Sequence, residues 1–131
     1  MNNSALDQYR SVSVQSGITD ATAHHMISML LDGALGGLAS AKGAVMRRNV
    51  GVQGEQIGKS IRIIDTLRAS LDHERGGEIS SNLASLYDYM EQRLLEANIA
   101  SDVKMLDEVI SLLKEVRSGW DTIPQELRGK S

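Results

Sequence analysis

The chain has 131 residues with 14 basic and 17 acidic side chains, a net charge of −3 with histidine neutral. This length suits one domain with its own core, and the acidic balance argues against a nucleic-acid binder. The absence of cysteine excludes disulfides, thiol nucleophiles and cysteine metal sites. The N-terminus lacks the apolar stretch of a secretory signal, and no apolar run is long enough to span a bilayer. We therefore expect a cytosolic protein without membrane insertion.

The first predicted helix runs from about Asp20 to Arg48, with Thr19 as its candidate N-cap. Its apolar residues recur at spacings of three and four, the pattern of an amphipathic helix: Ala23, Ile27, Leu30, Ala34, Leu38, Ala41 and Val45. The helix also contains several glycines, and each interior glycine costs about 1 kcal/mol against alanine. That cost favours either close packing against a neighbouring helix or a docking groove for another chain.

Three further amphipathic helices follow. A polar stretch at 72–77, closed by two glycines, predicts a turn after the second helix, and a break over 98–102, with Ser101 as candidate N-cap, separates the third helix from the fourth. The third helix begins near Glu78, and the fourth ends around Gly119. The apolar faces of these helices are Ile57, Ile61, Ile64, Leu67 and Leu71; Ile79, Leu83, Leu86, Tyr87, Met90, Leu94 and Ala97; and Val103, Leu106, Val109, Ile110, Leu113 and Val116.

Four long helices joined by short links favour an all-α fold, an antiparallel up-down-up-down four-helix bundle. We assign residues 20–120 to this bundle and residues 121–131 to a polar C-terminal tail. Residues 1–19 have no place in the four-helix pattern, yet they carry apolar side chains. We expect them to form an N-terminal cap segment that lies against the bundle.

No catalytic or metal-binding pattern is present in the sequence. A di-iron bundle needs a Glu three residues before a His, and no acidic residue here has that position. His24 and His25 are adjacent, so their side chains diverge by about 100° on a helix and cannot share a ligand. His73 lies in the charged turn, and no serine has the spacing of a nucleophile beside its base. We expect no enzyme activity, no cofactor and no metal.

Several large apolar residues fall outside the core faces. At 100° per residue, Tyr89 and Ile63 lie about 100° from the centres of their core faces. Such residues either seal the edges of the bundle or form an exposed groove for an apolar partner. Together with Tyr9 of the cap segment, the candidate partner-binding residues are Tyr9, Met29, Leu35, Ile63, Tyr89, Met105 and Leu112.

Several stretches resemble a known family. LDHERGGEI at 71–79 and LYDYM at 86–90, supported by Tyr9, MLLDGA at 29–34 and Trp120, are similar to the flagellin-specific export chaperone family, FliS. The resemblance implies a cytosolic four-helix bundle that binds the C-terminal segment of flagellin. It implies that such binding prevents premature polymerisation and aids delivery to the flagellar type III export gate. It also implies that the N-terminal segment covers part of the flagellin-binding surface.

The chain departs from the family pattern at Leu31, where the family usually has Tyr. The missing ring would change contacts on that face without changing the fold. An alternative function is a helical adaptor or signalling bundle without catalytic activity. Exposed apolar grooves would also allow two copies to pair as a homodimer when no client is bound.

Overall fold

The computed structural model describes residues 20–122, which form four long helices and one short helix. In chain order these are α1 (Asp20–Met46), α2 (Val50–Ala69), α3 (His73–Gly76), α4 (Glu78–Ala100) and α5 (Val103–Trp120). The predicted all-α bundle is confirmed. The predicted cap segment at 1–19, with Tyr9 and the Thr19 cap, and the tail from residue 123 lie outside the described residues.

Each long helix runs antiparallel to its two neighbours. Where α1 packs on α2, Gly33 lies beside Ile63, and Gly37, one turn later, lies beside Ser60, one turn earlier. Helix α4 completes the bundle by packing on both α2 and α5, and α5 packs on α1. The same reversal appears in the other pairs of facing residues: Lys42–Asp107 and Asp32–Arg117 between α1 and α5, and Gln53–Asn98 and Arg68–Asp88 between α2 and α4.

The core contains residues from all four predicted apolar faces. Its fully buried large side chains include Leu31, Leu38, Ile57, Ile64, Leu67, Met90, Leu94, Leu106, Val109 and Leu113. Tyr87 and Ala97 are also buried, as predicted. Leu31, where the chain departs from the family pattern, therefore changes packing inside the bundle.

At three positions of the predicted core faces, the adjacent residue is the more deeply buried one. In α1, Leu31 is buried instead of Leu30, and Ala44 is buried instead of Val45, while both predicted residues are half-buried. In α4, Ile79 is exposed and the following Ser80 points inward, donating a hydrogen bond to the carbonyl of Asp72 at 3.0 Å. The spacing of apolar residues locates the buried face of a helix only to within one residue. Which of two adjacent side chains is buried depends on which one contacts a neighbouring helix.

The helix ends follow local capping chemistry. Helix α1 ends at Met46, two residues before the predicted Arg48, which has a left-handed φ of 60°. The side chain of Asn49 then caps α2 by accepting a hydrogen bond from the amide of Val52 at 3.1 Å. The predicted turn at 72–77 contains the one-turn helix α3, and Gly77 closes it with a φ of 50°, which glycine adopts without steric cost.

The link between α4 and α5 is shorter than the predicted break at 98–102. Helix α4 continues to Ala100, and Ser101 has a left-handed φ of 50°. Asp102 caps α5 by accepting hydrogen bonds from the amides of Lys104 and Met105. The prediction of Ser101 as N-cap was therefore wrong, because an N-cap needs the extended backbone that Asp102 has.

Close packing of α1 against α2 accounts for one of the costly glycines. A Cβ atom added to Gly37 would collide with the Ser60 hydroxyl oxygen. That hydroxyl is fully buried and donates a hydrogen bond to the carbonyl of Ala34 at 3.3 Å. Gly37 thus permits the close approach of the two helices that the glycine content predicted.

Candidate functional site

An apolar cavity of about 350 Å³ opens between α1 and α2. Its lining residues, which define the α1–α2 groove, are Met26, Met29, Leu30, Gly33 and Ile63. The volume is in the range of ligand sites, about 300–1,000 Å³. Among the described residues, no polar side chain lines the groove, so it suits the apolar side chains of a protein segment better than a polar small molecule.

A second apolar stripe on α1 builds the groove. Met26, Met29, Leu30 and Gly33 stand at positions i, i+3, i+4 and i+7, which share one helix face. Leu30 and, across the groove, Ile63 are half-buried against the core and form its fixed walls. Met29 is 58% exposed, so its side chain faces solvent at the groove opening. Helix α1 therefore presents one apolar face to the core and another to the groove.

Gly33 keeps the groove open. An ideal Cβ at Gly33 would lie 3.5 Å from Ile63 Cδ1, an ordinary van der Waals separation. Any longer side chain at this position would occupy the space between the two helices. Gly33 thus borders an open surface, while Gly37 borders a closed one.

The structure brings two of the predicted partner-binding residues into one groove, and Tyr9 lies outside the described residues. Met29 and Ile63 both line the groove. Leu35 on α1 and, on α5, Met105 and Leu112 are half-buried and pack against the core. Those three positions fit the edge-sealing interpretation as well as the partner-binding one.

Sequence reasoning missed three groove residues. Met26 was not singled out, Leu30 was placed in the core, and Gly33 was considered only among the costly glycines of the helix. The signal that could have found them is the i, i+3, i+7 spacing of Met26, Met29 and Gly33, which runs beside the core face. Whether such a stripe meets a neighbour depends on the tertiary arrangement, which periodicity does not contain.

Tyr89 lies on α4 and is tied to α5 by a polar network. The residue is 43% exposed, and its hydroxyl donates a hydrogen bond to one carboxylate oxygen of Glu108. The other oxygen of Glu108 accepts from Arg93 Nε at 2.9 Å, and Arg93 also pairs with Glu96. The hydrogen bond to Glu108 raises the pKa of Tyr89, and the same bond lowers the pKa of Glu108. A partner at this position would meet the Tyr89 ring, since the hydroxyl is already engaged.

Other exposed apolar side chains lie toward the end of the bundle where α1 meets α2. Met46 and Val50 flank that link, and Leu95 and Ile99 lie on the last turns of α4. The buried Gln53 joins the two regions, because its amide donates to the carbonyl and side chain of Asn98. Leu95 and Ile99 are both exposed, with Ile99 at 88%.

Titratable side chains in the described part of the chain take part in packing between helices. The His24 ring stacks on Trp120 with centroids 4.6 Å apart, and Trp120 Nε1 donates to the carbonyl of His24. Burial, followed by the neighbouring carboxylate of Asp65, raises the pKa of Glu91. Among residues 20–122, no group of three or more histidines and carboxylates could hold a metal ion. No helix in that same range is long and apolar enough to cross a membrane.

Comparisons with known proteins cover nearly the whole chain. The family model for flagellar protein FliS matches residues 5–127. The chain is 50% identical over 119 residues to flagellar secretion chaperone FliSB of Pseudomonas aeruginosa, spanning 91% of this chain and 94% of that protein. It is 43% identical over 121 residues to flagellar secretion chaperone FliS of Salmonella typhimurium, spanning 92% and 90%. The corresponding Vibrio cholerae protein is 42% identical over 122 residues, spanning 93% and 90%.

Proposed function

Because the chain belongs to the FliS family of flagellar secretion chaperones, we propose that it binds the C-terminal segment of flagellin in the cytosol. In this proposal, binding prevents that segment from polymerising before export and aids its delivery to the flagellar type III export gate. The α1–α2 groove is the observation that supports a defined place for binding. The role is one of binding alone, without a catalytic step.

The chemistry of the groove suits one face of an amphipathic helix. Helices that dock in grooves present apolar anchors at i, i+3, i+4 and i+7. The groove offers them apolar walls at Leu30 and Ile63 and an adaptable side chain at Met29, since methionine surfaces repack around different partners. A client segment that is disordered alone would fold as it buries its apolar face here. Covering that face would stop the segment from associating with other flagellin copies.

A long client segment would reach beyond one groove. Coupled folding and binding typically buries about 1,000–3,000 Å², more than the α1–α2 groove supplies. We propose the exposed ring of Tyr89 on α4 as a second, weaker contact. Leu35, Met105 and Leu112 remain proposed contacts whose half-buried positions would contribute only their exposed edges.

We also propose that residues 1–19 are a displaceable cap that covers part of the client-binding surface. The segment joins α1 at Asp20, six residues before Met26, so it starts within two helical turns of the groove. Tyr9 is the proposed anchor or gate contact within it. Hydrogen exchange of residues 1–19 should then change when flagellin binds, and unchanged exchange would contradict a cap.

Calorimetric titration of full-length flagellin and of flagellin without its C-terminal segment tests the proposed function. We expect a 1:1 complex with the full-length protein and none with the truncated one. The heat capacity change should be negative, because apolar area is buried. Equal binding of both forms would place the contact elsewhere on flagellin, and no binding of either would contradict the proposed client.

A further inference from the structure

The methionines of the described chain occupy very different environments. Met26 and Met29 line the α1–α2 groove, with Met29 58% exposed at its opening. Met90 is fully buried, and Met105 is half-buried against the core. Met46 is 70% exposed at the last residue of α1, 17 residues and roughly 25 Å along the helix from Met29. Within residues 20–122, the exposed methionines are therefore Met29 and Met46, and only Met29 lies in the groove.

Peroxide changes such a side chain without breaking the chain. The thioether sulfur takes one oxygen atom from hydrogen peroxide, the O–O bond breaks, and water leaves. Sulfur is oxidised by two electrons and peroxide is reduced by two. The product, methionine sulfoxide, is polar and chiral, and reductases specific for each epimer reverse the reaction. Exposed Met29 and Met46 should react first, and buried Met90 last.

The lining of the groove determines the consequence of a sulfoxide at Met29. In the free protein, water can solvate the new S=O group at the groove opening. When an apolar client segment closes the groove, that oxygen would need a hydrogen-bond donor, and Leu30, Gly33 and Ile63 supply no side-chain donor. A polar group buried without a partner opposes binding. The penalty therefore falls on the complex and not on the fold.

We infer that the groove methionines, Met29 first and Met26 with it, are an oxidation site at which peroxide switches off client binding reversibly. The inference rests on the function proposed above, because it assigns the client to the α1–α2 groove. The exposed Met46 is a bystander in this account, since its oxidation leaves the groove unchanged.

The test treats the full-length chain with dilute hydrogen peroxide, locates sulfoxides by peptide mass mapping, and measures binding to full-length flagellin calorimetrically. Three proteins are compared before and after treatment: wild type, Met26→Leu/Met29→Leu and the matched control Met46→Leu. Leucine keeps a similar volume and an apolar surface but cannot be oxidised. Far-UV circular dichroism confirms that each treated protein keeps its helices.

We expect treatment to weaken binding at least tenfold for wild type and Met46→Leu, and less than twofold for Met26→Leu/Met29→Leu. Methionine sulfoxide reductases should restore wild-type binding. If treated wild type binds as well as untreated, or if the double variant loses as much as wild type, the inference is wrong while the proposed function stands. If untreated wild type does not bind flagellin, the proposed function fails and the inference fails with it. Should the double variant bind weakly before treatment, Met29→Leu takes its place, and a loss on treatment as large as that of wild type would contradict Met29 as the first site of oxidation.

Discussion

The α1–α2 and α4–α5 faces of the bundle both expose large apolar or aromatic side chains, but their neighbours differ. On the α1–α2 face, Met29 and Ile63 line an open groove whose walls are entirely apolar. On the α4–α5 face, Tyr89 is joined to Glu108 and Arg93 by hydrogen bonds and a charge network. An off-face apolar residue therefore lies beside an open cavity on the first face and beside a polar network on the second.

On α1, Gly37 lies in the closely packed part of the α1–α2 contact, and Gly33 lies in the open groove. Gly37→Leu should have the largest effect, because its side chain must displace Ser60 and the backbone behind it. Overpacking of this kind costs about 1–3 kcal/mol or more, so we expect the thermal midpoint to fall by several degrees. A thermal melt followed by circular dichroism measures it, and an unchanged midpoint would show that the two helices are not closely packed at this position.

Met29→Ala should weaken flagellin binding at least tenfold, about 1.4 kcal/mol, because an anchor at the groove opening is truncated. The free protein should keep its stability, since the side chain is largely exposed and α1 accepts alanine well. Met46→Ala is the matched control, being exposed on the same helix but outside the groove. If calorimetry shows equal losses of affinity for the two variants, the groove contributes no more to flagellin binding than the rest of the exposed surface of α1.

Tyr89 should contribute less than Met29, and through its ring alone. We expect Tyr89→Ala to weaken flagellin binding by a few fold and Tyr89→Phe to leave the affinity unchanged, because the hydroxyl is already bound to Glu108. The dissociation constants of both variants are compared with wild type in one titration series. A tenfold loss for Tyr89→Phe would mean that the hydroxyl leaves Glu108 to contact the client.

The smallest effect should come from Glu108→Gln, and it should depend on pH. Hydrogen bonds from Tyr89 and then Arg93 lower the pKa of Glu108 in the folded protein. This group therefore stabilises the fold above its unfolded pKa of about 4.3, and the contribution is lost as pH falls through the lowered folded value. The variant should melt slightly below wild type at pH 7, and the difference between the two melting temperatures should shrink as pH falls below about 4. A difference in melting temperature that stays constant with pH would mean that the charge of Glu108 does not stabilise the fold.

The bundle was predictable from the sequence because apolar residues recur at spacings of three and four along each long helix. Residues such as Ile27, Leu38 and Leu94 were placed in the core by spacing alone, and the structure buries them. Leu30 and Leu31 were interchanged because both are apolar and adjacent, so only the neighbouring helix distinguishes them. Local chemistry also decided the helix ends, where Asp102 caps α5 in place of Ser101.

The site was only partly predictable, because it arises between helices. Met29 and Ile63 were identified individually as off-face residues. The spacing pattern does not predict that these two positions, 34 residues apart, line the same groove. The bond between Tyr89 and Glu108 likewise connects two helices, and it changes what an exposed tyrosine can offer. The family resemblance predicted the client, and mutations in the groove can test whether that client binds there.

Filling the groove is the most direct test of the account. Gly33→Leu should weaken flagellin binding at least a hundredfold in calorimetry, because the new side chain extends from a Cβ 3.5 Å from Ile63 Cδ1 into the groove. Gly36→Leu makes the same change on an exposed part of α1, where a Cβ meets nothing within 4 Å, and should bind as wild type does. The gain in helix propensity is shared by both variants, so their stabilities should rise together. Wild-type affinity in a folded Gly33→Leu protein would contradict the assignment of the client to the α1–α2 groove.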